Sequence, residues 1–181
     1  MDLDDIIGVL EDAITELYKD NWFFFQSGVG EWTVSSEFHH IMKKKYWKRF
    51  KGYDMDAEFN LMTGIDRDYV QKTIVSADGT PLTIRPDFII HKQDCPKKNL
   101  LCVEIKRKGG AWLEHDYYKL AYLTRKSDDM AGRYVSNYAF GVSVLMLKRK
   151  VKCRWYENGK AVKNRTASVV FNQSKPSLNW Q

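Results

Sequence analysis

The apolar residues near the N-terminus recur every three or four positions, which is the spacing of one face of an α-helix. This spacing runs over residues 4–19, where two acids stand at the start and suit the positive end of a helix. A second helix is predicted to begin at "SSEFHH", where Ser35 or Ser36 can cap it. The apolar residues that define the two faces are Ile6, Leu10, Ala13, Ile14, Leu17, Phe38, Ile41, Met42 and Phe50.

Beyond residue 53 the pattern changes to that of β-strands. Strands are predicted over "DMDAEFNLM", over a hairpin of "DYVQKTIVS" and "TPLTIRPDFIIHK" with its turn at Asp78 and Gly79, and over the buried run "NLLCVEIK". A helix over "WLEHDYYKLAYLTRK" follows Gly109 and Gly110, and two more strands cover "YAFGVSVLMLK" and "KCRWYENGKAV". This order predicts an α/β protein with a mixed β-sheet flanked by helices.

The length and composition predict a single domain over residues 1–181, with the helix over 4–19 packed on its core. The chain has 181 residues, 44% of them hydrophobic, which is enough for a sizeable core. No apolar run approaches the roughly 18 residues of a membrane-spanning helix, and the acidic N-terminus does not resemble a secretory signal. The three scattered cysteines, Cys95, Cys102 and Cys153, are expected to be reduced thiols of a cytoplasmic protein.

Three charged residues stand in or beside the apolar strands. Because side chains alternate along a strand, Glu104 and Lys106 share one face of "NLLCVEIK" with Leu100 and Cys102. Asp87 begins the preceding strand, seventeen positions earlier, so two adjacent strands bring it opposite Glu104. The plain alternative is a structural salt bridge between Glu104 and Lys106.

Two carboxylates held close together repel unless a cation lies between them. Mg²⁺, or Mn²⁺ as its substitute, prefers such oxygen ligands and keeps several waters, whose pKa it lowers. An ammonium beside the acids can orient water or offset the charge that grows on a phosphate. The set of Asp87, Glu104 and Lys106 therefore predicts metal-dependent hydrolysis of phosphodiester bonds.

The segment "RPDFIIH…NLLCVEIK" resembles the PD-(D/E)xK nuclease superfamily, which has the restriction endonuclease-like fold. The resemblance covers residues 35–147, and "DYYKLAYL" is similar to the helix that follows the motif in many members. It implies that Asp87 and Glu104 bind metal, that Lys106 assists catalysis and that the carbonyl of Ile105 completes the metal shell.

Members of this superfamily often supply another metal-binding acid from the first core helix. Glu37 in "SSEFHHIM" occupies that kind of position and is the expected ligand, although a first-turn Glu is also favoured by the helix dipole. Glu58 in "DMDAEFN" is the rival, on a strand face that it shares with Asp54 and Asp56.

Basic residues provide two expected contacts to nucleic acid. "KKKYWKRFK" carries Lys43, Lys44 and Lys48 among its charges, and the alternative is a solvated helix face. Arg107 and Lys108 adjoin the motif. Lys119 either points to the same site or pairs with Asp116, three positions before it.

Together these features predict a cytoplasmic Mg²⁺-dependent endonuclease, with DNA favoured over RNA as substrate. Its net charge of +6 suits a polyanion. An RNA endonuclease and an inactive nucleic-acid-binding or protein-interaction module of the same fold stay open. A membrane partner is not expected, and the oligomeric state is open, with a homodimer as the option that the family suggests.

Overall fold

A computed structural model describes residues 1–58, 61–63, 69–76, 79–93, 95, 98–108, 111–126, 137–173 and 175–181. Four α-helices occur within these ranges: α1 (Leu3–Asp20), α2 (Trp22–Ser27), α3 (Glu31–Ile41) and α4 (Ala111–Leu123). A π-helical turn (Met42–Tyr46) and a 3₁₀ turn (Trp47–Phe50) continue α3. Asp2 caps α1 through a reciprocal pair of hydrogen bonds with Asp5.

The strands in the described residues form one large sheet and two small hairpins. The small hairpins pair β2 with β3 and β4 with β5. The bounds are β1 (Asp54–Ala57), β2 (Leu61–Thr63), β3 (Tyr69–Gln71), β4 (Thr73–Val75), β5 (Pro81–Thr83), β6 (Phe88–His91), β7 (Asn99–Lys106), β8 (Tyr138–Met146), β9 (Lys150–Glu157), β10 (Lys160–Asn172) and β11 (Lys175–Trp180).

The large sheet is mixed and, in the part of the chain described, has the order β1-β6-β7-β8-β9-β10-β11. Strands β7 and β8 run parallel, and every other described pair in this sheet is antiparallel. A parallel pair needs a long crossover connection, and α4 lies in the connection between these two strands. The predicted α/β class with a mixed sheet and helices is therefore confirmed.

The two faces of the sheet carry different apolar clusters. One face, with Leu101, Val103 and Ile105 of β7, packs against α1 and α3. The other face, with Cys102, packs against Leu120 and other residues of α4. The predicted alternation along β7 holds from Leu101 onward. Leu100 instead joins the α1 cluster, because the β6–β7 ladder shifts register between Ile90 and His91.

The predicted start of the second helix is wrong. Helix α3 begins at Glu31, so Ser35 lies inside it and is buried instead of capping it. Gly28 ends α2 in the left-handed conformation, with φ 72°, and Gly30 precedes the first residue of α3. The two glycines thus separate α2 from α3, and α2 was not predicted.

Several other boundaries also differ from the prediction. The long strand expected before the motif is divided into β5 and β6, and β11 was not predicted. Gly79 adopts a positive φ of 86°, as its predicted turn requires, while Asp78 and the Gly109–Gly110 break lie outside the described residues. The three cysteines are free thiols. Within the described ranges, no helix is both long and apolar enough to cross a membrane.

Candidate metal and catalytic site

The ladder between β6 and β7 sets the position of the two motif acids. The ladder ends at the pair Phe88 and Val103, so Asp87 and Glu104 are the next residues beyond it, and the charge of Asp87 raises the pKa of Glu104. Residues that lie opposite each other in such a ladder share a face of the sheet. The two carboxyl groups are thus on the same side, as the alternation of the sequence predicted.

Asp87 is anchored by the backbone of β7. The amide N–H of Ile105 donates a hydrogen bond of 2.6 Å to Asp87 Oδ2. Burial raises the pKa of Asp87 above its ordinary value, while this hydrogen bond and the Lys106 charge oppose the rise. Asp87 is therefore fixed in orientation but costly to ionise without a further cation.

Glu104 is almost wholly buried, with 1% of the residue exposed. The ammonium of Lys119, from α4, lies 2.8 Å from Glu104 Oε1 and 2.9 Å from Asp116 Oδ1. Burial raises the pKa of Glu104 well above its ordinary value, and the charges of Asp87 and Asp116 add to the rise against the attraction of Lys119. Burial opposes protonation of Lys119, but the carboxylates of Glu104 and Asp116 outweigh it and raise the pKa of the ammonium.

Lys106 is held by acids from two helices. Its Nζ lies 2.7 Å from Glu31 Oε1, at the start of α3, and 3.5 Å from Asp116 Oδ2 on α4. It also donates a hydrogen bond of 3.2 Å to the carbonyl of Ile105. Burial opposes protonation of Lys106, but Glu31, Asp116 and Asp87 outweigh it and raise the pKa of the ammonium. Lys106 is thus a fixed positive charge.

These side chains form one set, which we term the acid–lysine cluster. It contains four carboxyl groups and two ammonium groups, so the acids exceed the bases when all are ionised. Its members are Glu31, Asp87, Glu104, Lys106, Asp116 and Lys119.

The cluster suits a hard divalent cation in its donors and charge. Carboxylate oxygens are the ligands that Mg²⁺ prefers. Two of them, Glu104 Oε1 and Asp116 Oδ2, are buried and accept no hydrogen bond of good geometry from the described residues, although each has a lysine at ion-pair distance. Within those residues, however, no three His, Cys, Asp or Glu side chains form a group that could hold a metal ion. Lys119 lies between Glu104 and Asp116, so cation binding requires it to move.

The acids proposed from neighbouring elements have different positions. Glu37 is six residues beyond Glu31, about 9 Å further along α3 and turned by roughly 240° around it, so the two side chains leave the helix in different directions. Glu58 has a positive φ of 49°, and its carboxylate lies 3.3 Å from Arg85. The backbone N–H of Glu58 donates to the carbonyl of Asp87, which brings its main chain, but not its carboxylate, to the motif.

A cavity of about 660 Å³ opens beside Lys106 and Glu31. Lys108 lines it and is exposed, and its contact to nucleic acid stays a prediction. Arg107 also lines it, but its guanidinium lies 4.7 Å from the centre of the Phe25 ring and donates to the carbonyl of Phe24. Arg107 therefore also joins β7 to α2.

The other predicted basic contacts are partly engaged within the protein. Lys43 lies 3.9 Å from Asp56, and Lys48 lies 5.8 Å from the centre of the Trp47 ring. Lys44 is exposed in the π-helical turn that follows α3. Lys119, the remaining candidate, forms the local pair with Asp116 that the sequence left open.

Sequence reasoning did not identify Glu31 or Asp116 as site residues. The spacing of Asp116 and Lys119 on one helix face was visible, but their contact with Glu104 depends on how α4 packs. Glu31 was missed because the helix start was placed at Ser35 or Ser36. His91 of β6 lies 2.9 Å from Asp56 Oδ2, a contact that joins β6 to β1.

Comparison with protein-family models and with curated proteins finds no match for this chain.

Proposed function

We propose that this protein is a Mg²⁺-dependent nuclease that hydrolyses phosphodiester bonds of DNA. The observation that carries the proposal is the acid–lysine cluster, in which Asp87 and Glu104 share a sheet face with the fixed ammonium of Lys106. The open cavity beside Lys106 gives a substrate phosphate access to this charge.

The proposed fold is a restriction endonuclease-like core. It is supported by the order of elements around the motif: α3 on one side, the antiparallel pair β6–β7, the helix α4 and the parallel strand β8. Within that core, we assign Glu31 as the additional metal-binding acid, because its carboxylate contacts Lys106. The assignment of Glu37 as a ligand stays a prediction from the sequence.

Asp87 and Glu104 would hold the metal ion, with the backbone carbonyl of Ile105 and the carboxylate of Glu31 as further donors. When bound, Mg²⁺ lowers the pKa of water and neutralises phosphate charge. The hydrogen bond from Ile105 fixes Asp87 in orientation through Oδ2, and Oδ1 would be the oxygen that binds the metal ion.

Lys106 would place its positive charge next to the phosphate during hydrolysis. Glu31 and Asp116 orient the ammonium of Lys106. The Lys106 side chain is 17% exposed and lines the cavity. An oriented charge in a partly dry site stabilises developing negative charge more strongly than the same charge in water. Lys119 would balance the charges of Glu104 and Asp116 until a metal ion binds.

The arrangement of the lysines favours a second candidate function, a catalytically inactive nucleic-acid-binding module. Lys119 and Lys106 together pair with Glu104, Asp116 and Glu31, so lysine ammonium groups already balance part of the acidic charge. Such a module would bind nucleic acid through its basic surface and would not need the acids.

The test is incubation of the purified protein with plasmid DNA, single-stranded DNA and RNA, each with Mg²⁺, Mn²⁺ or a chelator. We expect cutting of DNA that needs the metal and is lost in Lys106→Met. The matched control is Lys163→Met, which removes a lysine paired with Asp4, outside the cluster. RNA cut in preference to DNA would change the substrate assignment. Binding without cutting, unaffected by Lys106→Met, would support the inactive module.

A further inference from the structure

We propose that a second basic site, on the sheet next to the acid–lysine cluster, binds the sugar–phosphate backbone of the nucleic acid strand that the cluster cuts. This proposal rests on the proposed function. The site is a cavity of about 570 Å³ over β8, β9 and β10, which we term the sheet groove. The groove residues proposed to position or contact the anion are Tyr117, Lys150, Lys152, Arg154, Asn164 and Thr166.

The strand register connects the sheet groove to the acid–lysine cluster. Residues that are paired across neighbouring strands lie on the same face, so each row of partners crosses the sheet on one side. One row runs through Glu104, Ser143, Arg154 and Asn164. The next row runs through Lys106, Leu145, Lys152 and Thr166.

The distance between the two sites suits a nucleic acid strand. Lys152 is two strands away from Lys106, which corresponds to roughly 10 Å at a strand spacing of about 4.8 Å. One strand of a duplex advances about 3.4 Å along the axis per nucleotide, and its backbone path is longer than this rise. A strand that has one phosphate at Lys106 can therefore reach the groove with a phosphate only a few nucleotides away.

Three positive charges of the groove are available for an anion, whereas Arg165, which also lines it, is paired with Glu11 at 2.7 Å. Lys150 and Lys152 are exposed, and within the described residues neither forms an ion pair, nor does Arg154. No Asp or Glu stands among the described residues that line the groove. Arg154 lies 4.5 Å from the centre of the Tyr117 ring, so stacking positions the guanidinium without neutralising it.

The uncharged lining also fits a phosphodiester backbone. Asn164 and Thr166 add amide and hydroxyl donors of the kind that contact phosphate oxygens. By contrast, the basic segment at residues 43–51 follows the C-terminal end of α3, about 15 Å along that helix from Glu31. Lys45 there pairs with Glu16 and Lys43 with Asp56. The sheet groove is both closer to the cluster and less neutralised.

Binding is tested with a fluorescently labelled single-stranded 20-nucleotide DNA, in chelator, so that cutting does not interfere. The variants are Lys150→Gln with Lys152→Gln, and the same pair with Arg154→Gln added. The double variant leaves the stacking of Arg154 on Tyr117 intact, so it remains informative if the triple variant fails to fold. Lys163→Gln is the control, since that side chain points to α1 through Asp4.

We expect the double variant to bind about tenfold more weakly at 0.1 M salt, with the slope of log affinity against log salt reduced by about one to two. Cutting by this variant should show a raised KM and an unchanged kcat. Wild-type affinity in both groove variants, or equal losses in the Lys163 control, would overturn the proposal. If the wild type cuts no nucleic acid but the groove variants still bind the DNA more weakly than the wild type does, the sheet groove is supported and the nuclease activity is rejected.

Discussion

Lys119 Nζ lies 2.8 Å from Glu104 Oε1, and this pair joins α4 to β7 at the centre of the acid–lysine cluster. The Glu104 side chain is 2% exposed and that of Lys119 is 11% exposed, so the pair is shielded from water. A buried acid that loses its cation is strongly destabilising, because nothing compensates its charge. The stability of the metal-free protein should therefore depend on Lys119.

We predict that Lys119→Met lowers the free energy of unfolding by about 3–5 kcal/mol in chelator, because it removes the ammonium between Glu104 and Asp116. Urea denaturation measures the loss. Added Mg²⁺ should restore more stability to this variant than to the wild type, since the ion takes the place of the ammonium.

Lys163→Met is the control and should lower the free energy of unfolding by less than about 1 kcal/mol, because its partner Asp4 is exposed. Equal losses in the two variants would contradict the prediction.

The raised pKa of Glu104 predicts how stability varies with pH without metal. At pH values between the pKa of Glu104 in the unfolded chain, about 4.3, and its higher pKa in the folded protein, Glu104 has lost its proton in the unfolded chain but keeps it in the folded protein. Stability from this group is therefore complete at low pH and is lost as pH rises through the folded pKa. Asp87, whose pKa is also raised, acts in the same direction.

Glu104→Gln should remove this dependence. Its free energy of unfolding, relative to that of the wild type, should increase as pH rises from 5 to 8 in chelator, as measured by urea denaturation at three pH values. Lys119 keeps Asp116 as a partner in this variant, so no cation is left alone. A difference between the two proteins that does not change with pH would show that Glu104 is not ionising in this range.

Glu31 and Glu37 distinguish the site in the structure from the site expected from the sequence. We predict that Glu31→Gln reduces the metal-dependent cleavage rate about 10–100-fold, because Glu31 orients Lys106. Glu37→Gln, a matched change on the same helix, should have a much smaller effect. The rates are measured on plasmid DNA over a range of Mg²⁺ concentrations. The reverse order of effects would favour the ligand expected from the sequence.

Gly141 tests how α4 is seated over the sheet. A Cβ at this position would lie 3.1 Å from Thr124 Cγ2 and 3.2 Å from Leu120 Cδ2, both on the α4 side. We predict that Gly141→Ala destabilises the protein by about 1–3 kcal/mol through overpacking. Gly8→Ala, at an exposed position in α1 with nothing within 4 Å of the added carbon, should instead stabilise it by about 0.5–1 kcal/mol. Thermal melting of the two variants checks both signs.

The sequence by itself determined the elements with strong local patterns. Helix α1 was predictable because its buried residues recur at the helical period, and β7 was predictable in its full extent as an apolar run. The shared face of Glu104 and Lys106 followed from the two-residue period of a strand. The position of Asp87 beside Glu104 followed once the two strands were taken as neighbours.

Only the tertiary structure decided which charges from other elements meet those residues. The packing of α4 on the sheet brings Asp116 and Lys119 to Glu104, and the turn at Gly28 directs Glu31 to Lys106. Strand order and register likewise bring Lys152 within two strands of Lys106. Local periodicity reports which side of an element a residue occupies, but not which element packs against that side, because long-range contacts depend on how the whole chain buries its apolar surface.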